Sequence, residues 1–159
     1  MLRPMSAALN PTLRLGQSGD VSAVHALLTA AGLPASDLRH ARELTLWVVE
    51  IAGTVSGAIA MERFGVDGLL RSLVVKPSLR SQGIGQELVN CLERHAREQG
   101  IHRLVLLTET AEPFFRKIGY TRIDRTEASE AVRQSEEFRS LCPASAVCMA
   151  KAITNRDPG

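Results

Sequence analysis

The period of the apolar positions changes along the chain, and each change marks an element. Thr12 to Leu15 alternates polar and apolar and predicts a short first strand, after which Ser18-Gly19-Asp20 offers an N-cap. Val21, Val24, Leu27 and Leu28 recur at helical spacing until Gly32. A second short helix is expected from Ser36 or Asp37 to Arg42, on a weak stripe. The dense apolar run Leu44 to Ile51, the turn Ala52-Gly53 and the run Thr54 to Arg63 together predict a hairpin. A turn at Gly65 to Gly68 leads into a further strand, Leu69 to Val75, which Lys76-Pro77 ends because proline cannot continue a ladder.

Ser81 to Gln99 predicts the longest helix, closed by Gly100. Its inner stripe is Ile84, Leu88, Val89, Leu92 and Ala96, and Gln86, Glu87, Glu93, Arg94, Arg97 and Glu98 fall largely on the polar side. Arg103 to Leu107 is a β-type run, Ala111 to Ile118 a short helix stopped by Gly119, and Tyr120 to Ile123 the start of another strand. Glu127 to Leu141 has helical composition, Pro143 forces a break, and Ala144 to Ala150 forms the last strand. An antiparallel meander followed by parallel strands that alternate with helices is a mixed α/β layout, with a central sheet flanked by helices.

At 159 residues and 17.2 kDa the chain fits one domain, with residues 12–153 as the folded unit and the tail from Thr154 frayed. Hydrophobic residues at 45% and charged residues at 23% are ordinary for a globular protein, so a packed core is expected. Lys and Arg number 19 against 17 Asp and Glu, without a basic run, which argues against nucleic acid or an anionic membrane as partner. Three cysteines, Cys91, Cys142 and Cys148, favour a reducing compartment over a disulfide framework. Met1 to Pro11 lacks the apolar run of a secretory signal, and no segment has the roughly 18 apolar residues of a membrane span, so a cytoplasmic location is expected.

The chemistry-bearing feature is Arg80-Ser81-Gln82-Gly83-Ile84-Gly85, which follows a strand and opens the long helix. First-turn amides have no intrahelical partner and attract anions, and glycines let phosphate oxygens approach the backbone. The pattern alone also fits a simple tight turn. A dinucleotide fold would need a third glycine where Leu88 stands, and a nucleoside-triphosphate loop would need Gly-Lys-Ser/Thr. Neither is present.

Residues 69–120 resemble the cofactor-binding half of the GNAT acetyltransferase superfamily. Its Arg/Gln-x-x-Gly-x-Gly/Ala loop is matched by Arg80 to Gly85, after the strand Leu73-Val74-Val75-Lys76-Pro77. Its second signature is matched by Thr108, Ala111, Phe114-Phe115 and Gly119-Tyr120. The resemblance implies acetyl-CoA as co-substrate and no metal. Amides from Ser81 to Gln86, with Arg80, would hold its pyrophosphate, and Leu73, Val74 and Val75 would pair with the pantetheine. Thr108, Ala111, Phe114, Phe115 and Lys117 would complete the cofactor side. The thioester would lie where this strand and the strand at Arg103 to Leu107 splay apart, with the Val74 or Val75 amide stabilising the oxyanion.

A finer resemblance, to arsenic-resistance N-acetyltransferases, lies in Leu69-Leu70-Arg71-Ser72-Leu73 and in Ser140 to Met149. Leu107 to Phe115 is similar to the acetyltransferase domain of N-acetylglutamate synthases. Both imply a small amino-acid-like acceptor, and dimers are common in the superfamily.

Transfer to an amine requires a deprotonated nitrogen, hence a base. Glu62, Glu50 and Glu109 are candidates, each also readable as a solvated carboxylate. At the position where many relatives carry a proton-donating Tyr, this chain has Phe115. Tyr120, the sole tyrosine, is expected in the core. Arg71, amid apolar neighbours, with Ser72 beside it, is either the fork for an acceptor anion or half of an ion pair. Arg133 and Arg139 are lesser candidates. Cys142 and Cys148 lack zinc spacing, and the four histidines are dispersed. Direct acetyl transfer to a small amine thus competes with a non-catalytic acyl-CoA sensor and with acetylation of a protein lysine or N-terminus.

Overall fold

The computed structural model describes residues 10–33, 44–135, 137–141 and 145–153. The helix expected between Ser36 and Arg42, together with Cys142 and Pro143, lies outside the described residues. In chain order the elements are β1 (Thr12–Leu15), α1 (Val21–Ala30), β2 (Leu44–Ile51), β3 (Thr54–Phe64), β4 (Asp67–Val75), α2 (Ile84–Glu98), β5 (Arg103–Thr108), α3 (Glu112–Lys117), β6 (Thr121–Ile123), α4 (Glu130–Arg133) and β7 (Val147–Ala152). The strands order as β1-β2-β3-β4-β5-β7-β6 in one mixed sheet. The parallel pair expected after the meander is β4 with β5, joined from Asp67↔Arg103 to Leu69↔Val105. β7 inserts between β5 and β6, antiparallel to both, because the chain returns through the long excursion after β6.

Contacts divide the chain into two compact units, each discontinuous in sequence. The first takes in the described residues of Met1–His40, Thr45–Ala60 and Ser72–Leu92, and the second those of Ala41–Leu44, Met61–Arg71 and Glu93–Gly159. In the first unit β1 pairs antiparallel with β2, Thr12 opposite Glu50 and Leu15 opposite Trp47. The turn after β2 holds Ala52 at φ 53° and Gly53 at φ 79°, the pair of left-handed residues that the sharp two-residue hairpin turn requires. In the second unit Leu69, Val105, Phe138 and Cys148 share one buried cluster with Val132 and Ala150.

Three expectations change. The long helix begins at Ile84, not Ser81, because Ser81 and Gly83 take left-handed backbone (φ 70° and 81°). The helix expected over Glu127 to Leu141 is split into a 3₁₀ turn (Arg125–Glu127), α4 and a π turn (Glu137–Leu141). Serine hydroxyls explain the split: Ser129 Oγ accepts the Val132 amide at 3.3 Å and Ser135 Oγ that of Phe138 at 3.3 Å, so each restarts the ladder. Finally Glu93, assigned to the polar face of α2, is only 4% exposed. The inner stripe of α2 is otherwise as predicted: Ile84, Leu88, Val89, Leu92 and Ala96 are all buried.

Candidate functional site

β4 leads into the glycine loop. Within it Ser72 holds φ 61°, a left-handed conformation that costs a non-glycine residue about 1–2 kcal/mol and breaks the alternation of the strand. The Ser72 hydroxyl is buried and makes no hydrogen bond among the described residues. Leu73, Val74 and Val75 follow, with Val74 buried. The Lys76 amide donates to Ser56 O at 2.9 Å, and a 3₁₀ turn at Pro77–Leu79 redirects the chain. Arg80 folds back so that its Nε donates to Val75 O at 3.3 Å, bracing the loop against the strand it left.

The two left-handed residues then present the start of α2. The ladder includes the Glu87 amide donating to Gly83 O at 3.1 Å, so the amides of Ile84, Gly85 and Gln86 belong to the first turn, which has no partners inside the helix. Gly83 has nothing within 4 Å of an added Cβ, so its positive φ, and not crowding, is what calls for glycine. The amides at the positive end of a fifteen-residue helix attract negative charge.

The second signature is built from side chains in the second unit. Thr108 Oγ1 accepts the Ala111 amide at 2.9 Å, closing the turn into α3. Phe115 is 4% exposed, with ring centroids 5.0 Å from Phe114 and 5.3 Å from Tyr120, both edge-on. Tyr120 is fully buried and donates to Glu93 Oε2 at 2.9 Å. Burial and the Glu93 charge push its phenol far above the ordinary value, so it is a core residue, as expected, and no proton donor near neutral pH. Lys151 Nζ lies 3.1 Å from both Glu93 oxygens and donates to Ile118 O at 2.9 Å. Glu93 is thus buried because a tyrosine and a lysine from later in the chain satisfy it. Lys117 is exposed and, with Glu112, Pro113, Arg116 and Arg122, lines an open groove of about 590 Å³.

The three carboxylates proposed as bases have different surroundings. Glu62 Oε1 accepts from Arg71 Nη1 at 3.2 Å, and Glu137 lies 3.4 Å from Arg71 Nε. Arg71 is 2% exposed, so the buried guanidinium is ion-paired. In the first unit Glu50 accepts from Arg14 Nε at 2.9 Å, and Asp20 takes the other nitrogens of the same guanidinium. The hydrogen bond from Arg14 holds the Asp20 carboxyl below its ordinary value, and the two carboxylates push the guanidinium up. Glu109 is exposed and accepts from Ser145 Oγ at 3.3 Å. Arg133 Nε donates to Ala128 O at 3.1 Å, and Arg139 is exposed. Within the second unit, then, the structure joins Glu62 to Arg71 and leaves Glu109 on other partners. Glu137 was missed in the sequence; Glu136-Glu137-Phe138-Arg139 reads as ordinary helix surface, and only the return of the chain onto β4 singles it out.

Burial pushes the Cys148 thiol up to about 11, opposite to the thiolate that binds soft ions. No group of three or more His, Cys, Asp or Glu among the described residues is placed to hold a metal, and none of their helices is long and apolar enough to cross a membrane.

An acetyltransferase (GNAT) domain model matches residues 42–122. The chain belongs to this family. It is 31% identical over 141 residues to an amino-acid acetyltransferase of Mycobacterium tuberculosis, a match covering 83% of this chain and 78% of that protein. It is 32% identical over 81 residues to a protein of Danio rerio named "Probable N-acetyltransferase 14", covering 47% of this chain and 29% of that protein. Its fold is similar to N-acetylglutamate synthase from Neisseria gonorrhoeae complexed with coenzyme A and N-acetyl-glutamate, with TM-score 0.76 and 22% identity, covering 91% of this chain. The chain spans only 35% of that synthase's length.

Proposed function

We propose that this chain transfers the acetyl group of acetyl-CoA to the primary amine of a small amino-acid-like molecule, by direct attack in a ternary complex. The observation that carries the reading is the left-handed Ser81–Gly83 turn opening α2 in a chain of the acetyltransferase family. The amino-acid acetyltransferase relative, matched over most of both chains, supports the acceptor class. The resemblance of the segments around Arg71 and from Ser140 to Met149 to arsenic-resistance N-acetyltransferases extends the proposal to acceptors that carry arsenic or phosphorus in an amino-acid frame. We place the protein in the cytoplasm, as a single domain over residues 1–159 with 12–153 as its folded unit; dimers are common in its superfamily, and a homodimer is compatible with this reading.

In this reading the amides of Ser81 to Gln86 hold the pyrophosphate, with Arg80 bracing the loop, and Leu73 to Val75 pair with the pantetheine in strand fashion. Thr108, Ala111, Phe114, Phe115 and Lys117 complete the cofactor side. Glu62 takes the proton that the ammonium must lose before its nitrogen can attack the thioester carbonyl; Glu50 is the alternative base. A new C–N bond forms, and the Val74 or Val75 amide donates to the oxygen that gains the negative charge. The C–S bond then breaks, the nitrogen gives its second proton to water, and CoA leaves as a thiolate that takes a proton from that water, since Phe115 has no proton to give and a thiol pKa of about 8.5 makes the thiolate a tolerable leaving group. Arg71 and Ser72 flank the acceptor side.

Thiol release from acetyl-CoA across a panel of glutamate-like amino acids, organoarsenical and phosphinic amino acids, and peptides tests the proposal. Turnover with the small amino acids is expected. Acetylation of peptides alone would overturn the acceptor class. Tight CoA binding without turnover on any amine would favour an acyl-CoA sensor, the reading to which the buried Phe115 lends weight.

A further inference from the structure

Arg71 is the centre of a charge cluster that the sequence does not group. Its side chain is wholly buried, whereas the Glu62 and Glu137 side chains keep 13% and 7% of their surface exposed. Glu62 lies 3.2 Å from Nη1 and Glu137 3.4 Å from Nε. Nε makes no hydrogen bond among the described residues, so the Glu137 contact there is ionic; a guanidinium is a planar fork whose edges are fixed relative to one another, and a charge beside Nε bears on which way Nη1 is presented.

The backbone on both sides of this clamp is anchored in one core. Glu137 begins the π turn Glu137–Leu141, a conformation that is rare and that recurs at functional sites. Its neighbour Phe138 is 9% exposed and shares a buried cluster with Leu69 of β4, two residues before Arg71. On the other side of Arg71, Ser72 is held in left-handed backbone, which sets the direction in which β4 leaves the clamp. The π turn and the kinked strand therefore meet through a common apolar contact set and through Arg71.

We propose that Glu137 is a positioning residue of the acceptor site: it fixes Arg71, and Arg71 in turn fixes the carboxylate of Glu62. The inference rests on the reading of Glu62 as the base. It assigns to Arg71 the orientation of Glu62, with no need for the acceptor to reach a guanidinium that solvent does not touch.

A double-mutant cycle tests it, with kcat, acceptor KM and CoA affinity measured for Glu62→Gln, Glu137→Gln and the pair. Glu62→Gln should lower kcat by about 100-fold, the smaller end of what a general base contributes. Glu137→Gln should lower kcat by about tenfold, and acceptor KM and CoA affinity should stay within about twofold. The pair should match Glu62→Gln alone, because two residues acting through one group are not additive. Losses that multiply would overturn the proposal and leave Glu137 a stabilising residue. Full kcat in Glu137→Gln beside a crippled Glu62→Gln would overturn it as well. Full kcat in Glu62→Gln would instead remove the base assignment on which it stands. Should Glu137→Gln fail to fold, Glu137→Asp retains the charge; kcat within about threefold of wild type supports positioning by charge, and a loss as large as that of Glu62→Gln counts against it.

Discussion

Between Ser81 and Gln86 the groups proposed to hold the cofactor are backbone amides, whereas the cluster around Arg71 is made of side chains brought from β3, β4 and the π turn. The first region needs only a local conformation: two left-handed residues and a helix to follow. The binding proposed for it would come from the peptide units themselves, so the identity of most side chains there would matter little. The second region has no local conformation that defines it. Its charges are stable in the interior only because each has an opposite partner, and losing one leaves the others exposed to the desolvation cost of burial. One region is therefore broken through the backbone and the other through its charges.

The largest expected effect comes from the charge cluster. Arg71→Met removes the guanidinium from between two largely buried carboxylates and should destabilise the protein by about 3–5 kcal/mol, seen as a fall in chemical-denaturation midpoint. A change below about 1 kcal/mol would show that the cluster is not energetically closed. Next is the turn. Gly83→Ala puts a Cβ on a residue at φ 81°, which costs about 1–2 kcal/mol, and should weaken CoA binding by about tenfold in calorimetry while acceptor KM is unchanged. Unaltered CoA affinity would mean that the amides of this turn are not the pyrophosphate site.

Smaller still is the side-chain control. Gln82→Ala should change CoA affinity by less than about twofold, since only its amide is used. A tenfold loss would erase the contrast between the two regions. Cys148 reports on the dryness of the second unit. In a Cys91→Ala/Cys142→Ala background its thiol should resist Ellman's reagent at pH 8 until the protein is unfolded, because burial pushes it up to about 11. Keeping that thiol neutral contributes stability in full below the ordinary value of 9.0 and loses it as pH rises toward about 11. Cys148→Ala should therefore lose less stability than wild type between those limits.

Features set by neighbours along the chain are legible in the amino-acid sequence itself. The hairpin turn at Ala52-Gly53, the inner stripe of α2 and the glycine turn before it are each decided by a handful of consecutive residues, through backbone sterics and helical period. The family followed from two such local patterns in the right order. Tyr120 was legible as core for the same reason, and Phe115 as a residue unable to give a proton.

What the tertiary structure alone decided concerns polar side chains whose partners are distant in sequence. Glu93 falls on the outer stripe of α2 by periodicity, yet it is buried because Tyr120 and Lys151 reach it. Glu137 looks like surface until the π turn brings it to Arg71. The apparent helix over Glu127 to Leu141 is broken by the hydroxyls of Ser129 and Ser135, whose choice between solvent and backbone is settled by packing. Periodicity records which face of an element is apolar. It does not record which charge will find its counter-charge, since that depends on where the rest of the chain returns.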